Sequence, residues 1–302
     1  MGQSILPRLK HTRSSMHQID RLGWAGGISF VSHGARIGIR VNDSTVLERL
    51  PSYLPPGWRP ATSHVVDYLY SLRTGNSAPS GLKSFHVLYL GSERVARTPD
   101  LDEVFDLLES YLHFNVAIGA RHQLFLHAGV VGWQGRAIVI PGRSLSGKTS
   151  LVAALVRAGA TYYSDEYAVL DEQGHVHPYP KPLSIRVGRG ESVSKCSAEQ
   201  LGGRAGTGPL PVGLVVVTQY SPAAHWRPRR LSPGQALLAL LDNTLLAQTR
   251  PQFTLGALER VASSACSLKG KRGEAEEMVG PLLDRLTKKS KEGFYVTGSK
   301  TR

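Results

Sequence analysis

The sequence predicts an α/β protein in two parts, a small α/β domain over about residues 25–120 and a larger α/β domain over about 121–290. Three observations predict it. The second half alternates short apolar runs with stretches of helical period. The first half consists mostly of β-type runs and closes on one amphipathic helix. A glycine-rich turn joins an almost wholly apolar strand to a helix in the middle of the chain.

The elements follow in order. Residues 1–24 read as a basic N-terminal arm and 291–302 as a basic C-terminal tail. The run ISFVSHGARIGIRV, from Ile28 to Val41, is two β segments split by Ser-His-Gly, a hairpin signal. Residues 51–62 hold four prolines and a glycine and read as a loop. Further β runs lie near 65–72 and 85–90. Leu101, Val104, Phe105, Leu108, Tyr111 and Leu112 then recur at helical spacing, and Asp100 with Glu103 offers a capping box.

In the second half, 124–131 and 137–140 are β runs, the latter apolar enough to be covered on both faces. Leu151, Ala154 and Leu155 share one face of the helix after the glycine-rich turn, and Gly159 stops it. Shorter β runs follow at 161–163 and 168–170, then a buried strand over 213–218. Ser232-Pro233-Gly234-Gln235 opens a helix with proline at its first position and a Ser/Gln capping box. Two more helical stretches cover about 252–264 and 274–288.

Composition excludes several classes. The chain has 302 residues, long enough to bury a sizeable core without staples. Cys196 and Cys266 are too far apart in sequence for a CxxC pair, and two cysteines make no disulfide framework. No apolar run reaches the roughly 18 residues of a membrane span, and the polar N-terminus has no secretory apolar region. A cytoplasmic location is expected. The formal net charge of +13 draws anionic partners without choosing among them, and no zinc-finger or RRM signature favours nucleic acid.

Gly142-Arg143-Ser144-Leu145-Ser146-Gly147-Lys148-Thr149 matches GxxxxGK[ST] in full. The glycines let successive N–H groups turn inward around phosphate oxygens, and the following helix adds its positive N-terminal end. Lys148 is placed for the β- and γ-phosphates, Thr149 for Mg²⁺, and Ser150 completes the binding segment. An apolar strand entering and an amphipathic helix leaving supply the context that the motif requires. Ser164-Asp165-Glu166 closes a neighbouring β run, where carboxylates hold Mg²⁺ or take the proton of an attacking hydroxyl. An exposed acidic turn is the plainer alternative. His175 and His177 are spaced for one face of a strand, but no third zinc ligand accompanies them.

These residues resemble the catalytic domain of the HPr kinase/phosphorylase family, whose fold is similar to that of ATP-dependent phosphoenolpyruvate carboxykinase. The carrying pattern is a His on the strand before the loop, the loop, and an acidic pair on the next strand. His127 stands 21 positions before Lys148, and Asp165 stands 17 after it. The likeness covers about 121–175 well and the N-terminal part hardly at all. It implies a P-loop kinase domain using ATP and Mg²⁺, with Asp165 as base, His127 beside it, and Thr149, Asp165 and Glu166 serving the metal. It also implies a tendency to form homo-oligomers.

The chain departs from the bifunctional members. Where they carry a further acidic ligand in an EVRGLG-like stretch, it has Leu183-Ser184-Ile185-Arg186-Val187-Gly188, with Glu191 the nearest carboxylate. The segments RRLSPGQALLALLDNT and RGEAEE are more similar to dedicated kinases that modify a serine of ribosomal peptide precursors. The expectation is therefore transfer of the γ-phosphoryl group to a hydroxyl, foremost serine of a peptide or protein. A kinase of a small alcohol or free amino acid is the alternative, as is an ATP-sensing module without catalysis. Phosphoryl transfer also calls for cations around the moving group. Arg230, just before a helix start, is favoured over Arg143, with Arg272 a further candidate.

Overall fold

The computed structural model describes residues 16–63, 65–75, 84–143, 146–186 and 193–296. Ser144 and Leu145 of the glycine-rich loop, Val187, Gly188, Glu191, most of the N-terminal arm and the last residues of the tail lie outside these. The chain divides into two compact units, 1–121 and 122–302.

The first unit begins with a short helix, α1 (Met16–Asp20), and a hairpin of β1 (Gly26–Ser32) and β2 (Ala35–Val41). His33 and Gly34 turn it at φ 48 and 88, the left-handed pair that a two-residue hairpin requires. A 3₁₀ helix, Ser44–Tyr53, occupies the start of the proline-rich stretch read as loop. β3 (Arg59–Pro60), β4 (Tyr68–Arg73), β5 (His86–Leu90) and β6 (Glu93–Thr98) complete a sheet of order β3-β1-β2-β4-β5-β6. β2 and β4 are parallel and the other pairs antiparallel. Pro60 sits in the edge strand, where a missing N–H costs least.

Helix α2 (Leu101–Gly119) buries Val104, Phe105, Leu108, Leu112 and Val116. Each such side chain contributes roughly 1.5–3 kcal/mol before conformational entropy is charged against it. The helix start differs from the expected capping box. The Asp100 carboxylate accepts from the Asp102 amide, while Glu103 accepts from the Thr98 hydroxyl at 2.5 Å. Glu103 thus ties the helix to β6 and does not reach back to its own cap.

The second unit carries the strands β7 (Leu124–Trp133), β8 (Arg136–Pro141), β9 (Thr161–Ser164), β10 (Tyr167–Leu170) and β11 (His175–His177). A separate hairpin, β12 (Leu183–Arg186) with β13 (Val193–Cys196), follows. β14 (Leu210–Tyr220), β15 (Arg229–Arg230) and β16 (Cys266–Arg272) complete the set. The sheet order is β11-β10-β7-β8-β14-β16-β15, with β9 also on β7 and β11 also on β14. Among the described residues they are accompanied by the α-helices α3 (Lys148–Arg157), α4 (Pro233–Leu241), α5 (Pro251–Ser264) and α6 (Glu276–Val296).

The sheet has two buried faces. Ile138, Ile140, Leu214 and Val216 pack with Leu151, Val152 and Leu155 of α3 and with Met278 and Leu282 of α6. Val139 and Val215 pack on the other side with Leu240 of α4 and Leu258 and Val261 of α5. Alternate residues of one strand thus feed opposite layers, which explains the nearly unbroken apolar run over 137–140.

β8, β14 and β16 are parallel, so their carboxyl ends share one edge of the sheet. β16 was missed in the sequence, which showed only a gap between two helical stretches. Among the described residues, no helix is long and apolar enough to cross a membrane.

Candidate functional site

The glycine-rich loop leaves β8 at this shared edge and ends at Gly147, the residue before α3. Gly147 has φ 80, a left-handed conformation that favours glycine. A Cβ there would lie 2.3 Å from Nη2 of Arg272, which would have to shift, so the left-handed φ is the firmer reason for glycine. The start of α3 has no side-chain cap. Its first N–H groups, which no helix satisfies internally, are therefore left to whatever the loop holds. At the loop entry, the Gly142 amide donates to the carbonyl of His127 at 3.1 Å.

β7 runs antiparallel to β8 with Ala128 opposite Pro141, which brings His127 level with the loop. The same strand aligns the acids. Its second half pairs β9, with Val130 opposite Ser164, and its first half pairs β10, with His127 opposite Tyr167. Asp165 and Glu166 occupy the bend between β9 and β10, held by the Ser164 hydroxyl, which accepts from the amides of Glu166 and Tyr167.

Asp165 is the hub. It is only 7% exposed. Its Oδ2 accepts from the Thr149 hydroxyl at 2.9 Å and its Oδ1 lies 3.0 Å from the Tyr162 hydroxyl. Tyr162 also reaches the carbonyl of Lys181 at 2.8 Å, so one O–H stands between two acceptors. Burial raises the Asp165 pKa above the usual carboxylate value, against the opposing pull of Lys181 and the two hydroxyls. Glu166 is held by the Lys181 ammonium.

Lys148 donates to the carbonyl of Arg143 at 2.7 Å, lying along the loop. Burial lowers its pKa, while the nearby charges of Asp165 and Glu166 act to raise it. His127 is pushed down as well, again chiefly by burial, so its imidazole is neutral near pH 7. Its Nε2 is buried with no hydrogen-bond partner, and its ring lies 5.0 Å from that of Tyr167. The structure therefore gathers His127, Lys148, Thr149, Asp165 and Glu166 in one place.

Of the arginines named from the sequence, Arg272 reaches the loop and the favoured Arg230 does not. Arg230 is exposed on β15, at the far edge of the sheet, with β14 and β16 between it and β8. At about 4.8 Å per strand, that is roughly 14 Å away across the sheet. Arg143 is exposed on the loop. Arg272, at the end of β16, is 2% exposed and donates to the carbonyl of Gly147 at 2.8 Å. Its guanidinium lies over the ring of Tyr220, and its Nε is buried without a partner. A cleft of about 410 Å³ opens here, lined by Gly147, Ser150, Arg157, Tyr220, Arg272 and Glu274.

Sequence reasoning missed Lys181 and Tyr162 on one side of the loop, and Tyr220 and Glu274 on the other. Lys181 and Tyr220 sit in no motif, Tyr162 belongs to a conspicuous Tyr-Tyr run directly before the acids, and Glu274 lies in the RGEAEE segment without having been singled out. His175 and His177 flank Asp171, with His177 Nε2 2.9 Å from its carboxylate. Among the described residues, no group of three or more His, Cys, Asp or Glu side chains is arranged to hold a metal ion.

Fold and site together define an α/β chain whose strand–loop–helix unit faces a buried carboxylate. No protein-family model and no curated protein matches it. Among solved structures it is similar to the Hpr(Ser) kinase/phosphatase from Coxiella burnetii, at 13% identity and a TM-score of 0.34, over 56% of this chain and 98% of that chain. A likeness of that size carries no argument about activity, which is read from the site alone.

Proposed function

We propose that the chain is an ATP- and Mg²⁺-dependent phosphotransferase that passes the γ-phosphoryl group to a hydroxyl, with serine of a peptide or protein as the acceptor. The observation that carries this reading is the 2.9 Å contact between Thr149 of the loop–helix junction and the buried Asp165. It sets an acidic group beside the place where a loop of this sequence holds terminal phosphates.

In this reading the loop amides and the uncapped start of α3 take the phosphates, and Lys148 moves from the Arg143 carbonyl to their oxygens. The cleft beside Gly147 takes the nucleoside; its volume is in the ordinary range for small-molecule sites. Asp165 accepts the proton of the acceptor hydroxyl, and neutral His127 orients the acceptor or contacts phosphate. Arg272 steadies the loop from behind Gly147.

Mg²⁺ suits the donors present. Thr149 and Asp165 offer a hydroxyl and a carboxylate oxygen, hard ligands for an ion that keeps several waters and binds mainly through phosphates. Bound there, it neutralises charge on the phosphates during transfer. The absence of a three-residue ligand cluster among the described residues is compatible with such an ion.

A second reading, a nucleotide sensor without catalysis, draws on one observation: both oxygens of Asp165 already have hydroxyl neighbours. The test is intact-mass analysis after incubation with ATP and Mg²⁺, with serine peptides, an HPr-like protein and free serine side by side. A gain of one phosphate on the peptide or protein supports the proposal. Phosphorylation of free serine alone moves the acceptor to a small alcohol, and nucleotide binding with no transfer favours the sensor.

A further inference from the structure

Lys181 has no part in any motif, yet it is tied into the site at both ends. Its carbonyl accepts from Tyr162, the same hydroxyl that neighbours Asp165. Its ammonium donates to Oε2 of Glu166, and the two side chains are 19% and 31% exposed. Between its ends it spans the β9–β10 bend that presents both acids. The backbone of residue 181 is fixed against Tyr162, so holding the ammonium on Glu166 costs the entropy of the side chain alone.

The pairing solves a charge problem. Asp165 and Glu166 are adjacent carboxylates beside a site that takes a triphosphate, and like charges so close repel. Such a pair is relieved by a divalent cation, by a proton or by a fixed cation. Here an ammonium already sits on Glu166. Residues 182–186, which follow Lys181 and include β12, are Pro-Leu-Ser-Ile-Arg and add no carboxylate to the pair.

We infer that Lys181 is a positioning residue that holds Glu166 as an ion pair and so confines divalent-cation binding to the side of Thr149 and Asp165. The ammonium takes the place that a second metal ion would otherwise fill. Glu166 on this account is a counter-ion, not a ligand, which departs from the role expected of it by resemblance. The inference rests on the proposed ATP/Mg²⁺ reading for its context, but it is tested by cation binding rather than by transfer.

The experiment counts Mn²⁺ bound to the full-length chain by electron paramagnetic resonance, with a non-hydrolysable ATP analogue present. Lys181→Met is expected to gain about one further Mn²⁺ per chain over the wild type, because Glu166 then loses the ammonium that holds it and can turn to a cation. Lys181→Arg keeps the wild-type count, and the Lys181→Met/Glu166→Gln double variant returns to it. Glu166→Gln alone leaves the count unchanged. No gain in Lys181→Met, in protein whose melting curve shows it folded, overturns the inference. So does a loss of Mn²⁺ in Glu166→Gln, which also decides the matter if Lys181→Met does not fold. A wild type that binds neither the analogue nor Mn²⁺ counts against the ATP reading; the effect of Lys181→Met on Mn²⁺ binding still decides the role of Lys181.

Discussion

Asp165 illustrates how burial and hydrogen bonding set one residue's behaviour. Its raised pKa means that the folded chain holds the proton more tightly than the unfolded chain does. The stability this confers is fully present below the ordinary carboxylate pKa of about 4 and is lost as pH rises through the folded value. At neutral pH an ionised Asp165 therefore costs stability. Asp165→Asn removes that charge, and its amide N–H₂ can donate to the Tyr162 oxygen while Tyr162 donates to the Lys181 carbonyl. Asp165→Asn should melt a few degrees above the wild type at pH 7–8, at about 2–4 °C per kcal/mol. The gap should close toward pH 4, and a variant that melts lower at pH 7 contradicts the account of its environment. Of the site residues, the loop and the acid pair were legible because their chemistry depends on spacing in sequence. Lys181 was not, since 15 residues and two strands separate it from Glu166.

At the scale of elements, local signals were read well where one residue type decides them. The hairpin turn at His33-Gly34 and the Ser232 cap of α4 are such cases. Ser232 accepts from the Gln235 amide, and Gln235 accepts in return from the Ser232 amide, so the expected capping box is present. Ser232→Ala should cost about 1 kcal/mol and lower the melting temperature by roughly 2–4 °C, leaving nucleotide affinity unchanged. An unaltered melting curve would show that the cap carries no weight. β16 escaped notice for a physical reason. Only Cys266, Ser267 and Leu268 lie between the helical layers, and Lys269 and Lys271 emerge beyond them, so the strand reads as polar. The sequence names Arg272 as a candidate cation, but without this strand nothing in it shows that Arg272 is delivered to Gly147. Arg230 drew attention instead because it precedes a helix in sequence, but it sits on an edge strand two strands beyond β14.

For the whole molecule, the mixed α/β class could be read from periodicity, but not the order of the strands, because that order depends on pairings such as β7 with both β9 and β10. Net charge acts at this scale too. With +13 on the chain, a negatively charged acceptor is drawn in by the field, and salt screens that field within about 10 Å at 0.1 M. Among serine peptides of equal length, KM for an acidic one should rise with ionic strength while kcat holds, and KM for a neutral one should stay level. Equal salt dependence for both would exclude long-range steering.

In the proposed reaction the loop grips the triphosphate itself, while Asp165 serves transfer, taking the proton of the acceptor hydroxyl and standing beside Thr149 for the metal. Measuring ATP affinity without Mg²⁺, and phosphate transfer with it, in the Asp165→Asn protein separates the two roles. The account predicts affinity within about threefold of the wild type and transfer slower by at least about a hundredfold. Transfer at the wild-type rate would contradict it.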